Sequence, residues 1–158
     1  MSLDNISMAR LANVHPEVSR RIQNLASQLD FPIRVTYGIR TVAQQDALWS
    51  IGRDAAGNVI GRTVTDAKGT ASNHVMGLAA DIVPMDLVDG DPDWNENSAS
   101  WQRIVALAPT CGLRDGKSFK DEPHLELIEV PEIPTEETQN TYLQAGVEAV
   151  WSELKIGL

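Results

Sequence analysis

The chain has 158 residues, 42% of them apolar and 22% charged, and a formal net charge of -9. That length suits one domain with a sizeable core, and the composition is neither that of a disordered chain nor that of a membrane protein. So acidic a chain is excluded as a general binder of nucleic acid, whose phosphates demand a basic face, and has no long-range attraction to an anionic polymer.

No apolar run approaches the roughly 18 residues that span a bilayer. The first residues, Met1 to Met8, lack a basic segment followed by an apolar one, so no cleavable secretion signal is expected. The single cysteine, Cys111, cannot close an intramolecular disulfide and reads as a buried thiol at a helix end.

From Pro16 to Leu29, the residues Val18, Ile22, Leu25 and Leu29 mark one face of a helix, with Pro16 in its first turn. His15, just ahead, reads as a structural helix-entry residue rather than a ligand. Ile33 to Tyr37 alternates and is β-rich, which predicts a strand ending at Gly38. Thr41 and Gln44 have the form of a capping box, so a second helix starts there, runs through Leu48 and Trp49 and stops near Gly52. Arg40 is left where strand end meets helix start. It is either a surface or ion-paired arginine or a side chain projecting into a cleft. Arg53 to Thr70 is a glycine-punctuated loop with a short hairpin expected over Val59 to Val64, and its length suits a flap over a site.

The loop delivers the chain to Ser72-Asn73-His74-Val75-Met76-Gly77-Leu78-Ala79-Ala80-Asp81. The run Leu78 to Val83 predicts a strand covered on both faces, which makes Asp81 a buried carboxylate in need of a cation or several hydrogen bonds. On a regular helix His74 and Asp81 would stand about 10 Å apart along the axis, too far for ligands that sit about 2 Å from a shared ion. Gly77 instead supplies a turn between a loop-borne His74 and a strand-borne Asp81. His124 opens a second alternating run, Leu125 to Val130. Two histidines and a carboxylate suggest an N/N/O zinc site with one open position, the arrangement of catalytic rather than structural zinc.

Asp86 to Asn97 is acidic and turn-rich but lacks the spacing of an EF-hand loop, so it reads as a solvated surface loop. Ser98 or Ser100 caps a helix bearing Trp101, Ile104, Val105 and Ala108 that ends near Gly112. Asp121 and Glu122 both precede His124 closely enough to take a proton from a metal-activated water. From about Thr135 onward, Leu143, Val147, Val150, Trp151 and Leu154 predict an amphipathic C-terminal helix used for core packing. The alternation of helices and strands suits an α+β single domain with a mostly antiparallel sheet and packed helices.

Taken together, Ser72-x-His74-x-x-Gly77-x-Ala79-x-Asp81 and the later Asp121-x-x-His124 resemble the M15 family of zinc peptidases. That family holds D-alanyl-D-alanine carboxypeptidases and dipeptidases and L-alanyl-D-glutamate endopeptidases. Gly38-x-Arg40-Thr41-x-x-Gln44-Gln45-x-x-Leu48, Gly52-Arg53 and Val64-Thr65-x-Ala67 look most like the endopeptidase branch. The matches span roughly residues 10 to 130 of one peptidase domain over 1–158, with the C-terminal helix at about 135–155.

The resemblance implies a hedgehog/D-Ala-D-Ala-peptidase-like fold and one Zn2+ held by His74, Asp81 and His124. It also implies Asp121 as the catalytic acid/base, Arg40 as the holder of a substrate or transition-state oxygen, and Ser72 as a supporting hydrogen-bond partner. The implied substrate is the peptidoglycan stem peptide, cut at the L-alanyl-D-glutamate bond. The alternatives are a D-alanyl-D-alanine carboxypeptidase or dipeptidase, or a zinc-stabilised wall-binding domain without turnover. A monomeric phage endolysin, cytoplasmic until a membrane lesion releases it and never inserted in the membrane, fits the absence of a signal. Many relatives carry aromatic residues where this chain has Glu122 and Leu125, which places the departure at the expected pocket rim.

Overall fold

The computed structural model describes residues 1–116 and 121–157, with all of their side chains except those of Asp121 and Glu122. Four strands form one sheet in the order β1-β2-β4-β3: β1 (Ile33–Tyr37), β2 (Ala79–Pro84), β3 (Leu113–Gly116) and β4 (Asp121–Leu127). Each neighbouring pair is antiparallel, in line with the mostly antiparallel sheet expected from the order of helices and strands. Among the described residues the helices are α1 (Asn5–Leu11), α2 (Pro16–Ser27), α3 (Val42–Ser50), α4 (Ala99–Leu107), α5 (Glu136–Ala145) and α6 (Val147–Leu154).

Side-chain alternation divides the sheet into two faces. Ala80, Ile82, Leu125 and Leu127 point into the core with Val18, Ile22 and Leu25 of α2 and Trp101 and Ile104 of α4. Asp81, His124 and Glu126 take the intervening positions of β2 and β4, and all three are buried as well. Every residue of β2 is buried, so the strand is indeed covered on both faces. Leu125, 1% exposed, belongs to the core and not to a pocket rim; the parity of β4 turns it away from the face that carries His124.

α1 was not anticipated. Asp4 caps it, accepting from Ser7 N at 2.7 Å, and the helix lies along the outer edge of β1. There Val35 N donates to Ser7 Oγ at 2.9 Å and Arg10 Nη1 donates to Val35 O at 2.6 Å. Side chains thus occupy part of an edge that would otherwise offer unpaired backbone groups. β3 was also missed; it is four residues long and rich in turn formers. The expected Val59–Val64 hairpin is replaced by a single bridge between Arg53 and Val59, because Asp54 closes a side-chain turn on Ala56 and Asn58 and the chain folds back on Gly52 O. The C-terminal helix is two helices. Gly146, at φ 82°, breaks it, leaving Leu143 67% exposed while Val150 stays in the core.

Candidate active site

His74 owes its position to a tight turn over residues 73–77. Leu78 N donates to Asn73 O at 2.8 Å and Gly77 N to His74 O at 3.2 Å. Gly77 takes φ +66°, a left-handed conformation that side-chain-bearing residues resist. Ser72 Oγ accepts from His74 N at 3.3 Å. Two neighbours close over this turn: His15 N donates to Gly77 O at 2.8 Å, and Trp151 Nε1 of α6 donates to Met76 O at 2.8 Å. The rings of His15 and Trp151 meet edge to face at 5.3 Å. His15 is therefore structural, and its Nδ1 caps α2 by accepting from Glu17 N.

Asp81 and His124 are directly opposite each other across β2 and β4, the cross-strand position in which side chains on one face touch. Asp81 is also opposite Tyr37, next to an irregularity in β1 between Val35 and Tyr37. His74 Nε2 lies 2.9 Å from Asp81 Oδ1 and 3.1 Å from His124 Nδ1, and His124 Nδ1 lies 3.6 Å from Asp81 Oδ1. Tetrahedral ligation with bonds of about 2 Å separates donor atoms by about 3.3 Å, so these three atoms stand where one face of such a tetrahedron requires them. Among the described residues, this is the one group of three or more His, Cys, Asp or Glu side chains placed to hold an ion.

The hydrogen bonds behind the three donors favour the same assignment. His74 Nδ1 is 2.8 Å from Gly38 O; a carbonyl only accepts, so Nδ1 carries the hydrogen and Nε2 presents its lone pair. His124 Nε2 is 3.0 Å from Glu126 Oε2, which leaves Nδ1 to face the centre. Asp81 uses Oδ2 to accept from Arg40 Nη2 and turns Oδ1 inward. Electron pairs converging at these distances need a cation between them. Where the protein's own groups must supply it, a proton does. Burial pushes the His124 imidazole down, but hydrogen bonds to Asp81 and Glu126 outweigh it and bring the pKa to about 9. Burial likewise raises Asp81, yet His74, His124 and Arg40 hold its carboxyl well below the usual range.

Arg40 lies just beyond β1, after Gly38 and Ile39, its N donating to His74 O at 3.1 Å. Both halves of the predicted Thr41–Gln44 capping box are present and start α3 beside it. Its guanidinium lies 5.0 Å from the Tyr37 ring, and its Nε–H is buried with no partner among the described residues. Gln45, 1% exposed, accepts from Arg40 Nη1 at 3.4 Å and donates to Ala67 O at 2.9 Å. Val64, Thr65 and Ala67 wall a cavity of about 220 Å³ that also touches Arg40, His74 and His124. The long loop thus reaches the site as a wall, and Ile133 lines the same cavity.

The backbone of Asp121 opens β4 opposite Gly116, but its side chain and that of Glu122 lie outside the described residues. Cys111 is buried against α2, with Gln28 Nε2 3.4 Å from its Sγ. The acidic stretch 86–97 is a run of side-chain turns: Asp86, Asp89 and Asp93 each accept from the backbone N two residues on. Sequence reasoning missed Asn73, Gln45 and Glu126. For Glu126 one signal was present, since it shares the parity of His124 on a strand whose other face is apolar.

A family model described as D-alanyl-D-alanine carboxypeptidase matches residues 65–127. The peptidoglycan L-alanyl-D-glutamate endopeptidase CwlK of Bacillus subtilis (strain 168) is 35% identical over 130 residues, which is 74% of this chain and 75% of CwlK. The solved L-Ala D-Glu endopeptidase ChiX of Serratia marcescens aligns with a TM-score of 0.58 at 25% identity, over 80% of this chain and 90% of ChiX. The vancomycin resistance D,D-pentapeptidase VanY, solved in complex with Zn(II), shares the fold with a TM-score of 0.53 at 19% identity, over 94% and 84% of the two chains.

Proposed function

Because the chain belongs to the M15 family of metallopeptidases, we propose that it is a zinc-dependent peptidoglycan peptidase that cuts the stem peptide between L-alanine and D-glutamate. The observation that carries this reading is the convergence of His74 Nε2, Asp81 Oδ1 and His124 Nδ1, with both histidines at the wall of a cavity that Arg40 also lines. The donor set of two imidazoles and a carboxylate suits zinc with an open position. When bound there, zinc polarises the scissile carbonyl and activates water for attack.

The chain's own residues supply the rest. Asp121, three residues ahead of His124, accepts the proton of the attacking water and returns it to the leaving amine. Arg40 donates to a substrate carboxylate or to the developing oxyanion; its buried Nε–H, without a partner among the described residues, supports this role, while Nη2 keeps Asp81 turned inward. Ser72 steadies the backbone of His74. The enzyme works as a monomer, a reading supported by the origin of all three donors in one chain. Among the described residues no helix is long and apolar enough to cross a membrane, in keeping with an endolysin that meets the wall after release.

Mass spectrometry of digested muropeptides tests the assignment. Fragments that begin with a free D-glutamate amine are the expected product. Release of D-alanine with the L-Ala–D-Glu bond intact would establish instead the carboxypeptidase reading, which the description of the family model favours.

A further inference from the structure

Of the two polar side chains described on the site face of β4, His124 and Glu126, the second has no part in the chemistry described above. It is 1% exposed, yet both its oxygens are fully engaged. Oε1 accepts from Arg114 Nε at 2.9 Å and from Arg114 Nη2; Oε2 accepts from Asn73 Nδ2 at 2.7 Å and from His124 Nε2 at 3.0 Å. A buried carboxylate is costly unless its partners are this complete.

The partners are themselves held. Asn73 Nδ2 also donates to Pro131 O at 2.8 Å and to Glu132 O at 3.3 Å, so flipping the amide would set its oxygen against three acceptors. Arg114 Nη2 donates in addition to Val130 O at 2.8 Å. Glu126 is therefore anchored from the His74 turn, from β3 and from the segment at 130–132. Across β2 its partner is Ala79, whose small side chain leaves room for the carboxylate.

We propose that Glu126 is a positioning residue for the metal, with Arg114 and Asn73 as its holders. It fixes the His124 tautomer with hydrogen on Nε2 and turns the Nδ1 lone pair toward Asp81 and His74. A neutral imidazole has two tautomers and can rotate about its side-chain bonds, so a ring without such an acceptor spends part of its time with the wrong nitrogen, or a hydrogen, at the metal. A carboxylate behind the ring removes those states and raises the basicity of the ligating nitrogen. The inference rests on the zinc-centre reading given above.

Zinc affinity, measured by competition with a chromogenic chelator, is the test. Glu126→Gln is expected to weaken binding by about 10- to 100-fold, and Arg114→Gln to weaken it by a smaller factor. Arg114→Gln should add nothing in the Glu126→Gln background, because Arg114 acts through Glu126. Glu129→Gln removes a carboxylate paired with Arg21 away from the centre and should leave affinity unchanged. In long-range 1H–15N spectra of the zinc-loaded protein, His124 should ligate through Nδ1 and carry hydrogen on Nε2. A folded Glu126→Gln variant with wild-type affinity, or Nε2 ligation in the wild type, overturns the proposal. Should Glu126→Gln fail to fold, Arg114→Gln with a native near-ultraviolet spectrum decides in the same way. Failure of the wild type itself to bind zinc would instead remove the metal-centre reading.

Discussion

At the scale of single residues, His124 stands between two carboxylates, and in the proposed zinc centre that governs how a proton is traded for the metal. Its pKa in the metal-free fold, about 9, lies above the roughly 6.5 of a free imidazole. The stabilisation it contributes is therefore complete below about pH 6.5 and lost as pH rises through 9. The melting temperature of the metal-free protein should fall across that window. Zinc requires the neutral ring and so displaces the proton; apparent zinc affinity should rise over the same window, by up to about tenfold per pH unit. Calorimetry and chelator competition at matched pH values check the two opposite trends. His74→Ala should abolish zinc binding, as elemental analysis would show. Asp121→Ala should retain zinc yet lose hydrolysis by about 10²- to 10⁴-fold; wild-type turnover by that variant would remove Asp121 from the proposed mechanism.

At the scale of elements, what was readable from sequence is what local periodicity and capping encode. The strand Ile33–Tyr37, the Thr41 capping box and the fully buried strand around Asp81 all appear as expected. His74 and Asp81 were legible because a turn and a strand bring them together within one short segment. Glu126 was not, because its meaning lies in Arg114 on β3 and in Asn73 on a distant turn. Leu125 was assigned to the wrong face by likeness to other sequences, whereas strand parity alone sends it inward. The break at Gly146 was overlooked because an apolar stripe can run across a glycine without recording the change of direction. The turn at Gly77 gives this scale its own prediction. A Cβ there would lie 2.8 Å from Trp151 Cζ2, at a φ that disfavours side chains in any case. Gly77→Ala should cost on the order of 1–3 kcal/mol and weaken zinc binding by displacing His74. Denaturant melts and zinc competition would detect the two effects separately.

At the scale of the whole molecule, the net charge of -9 acts on approach to substrate rather than on chemistry. Repulsion from an anionic wall is screened within about 8 Å at physiological salt and reaches about 30 Å at 0.01 M. Digestion of intact sacculi should thus accelerate as salt is added from that low level, while hydrolysis of a soluble neutralised stem peptide should stay level. Parallel initial rates on the two substrates distinguish an effect of encounter from one of catalysis. The grip of Trp151 on the carbonyl of Met76, beside His15 on the carbonyl of Gly77, bears on the order in which the protein is made. The His74 turn, Asp81 and His124 all leave the ribosome before Trp151 does. A nascent chain therefore carries His74, Asp81 and His124 while the turn that aims His74 still lacks its Trp151 clasp.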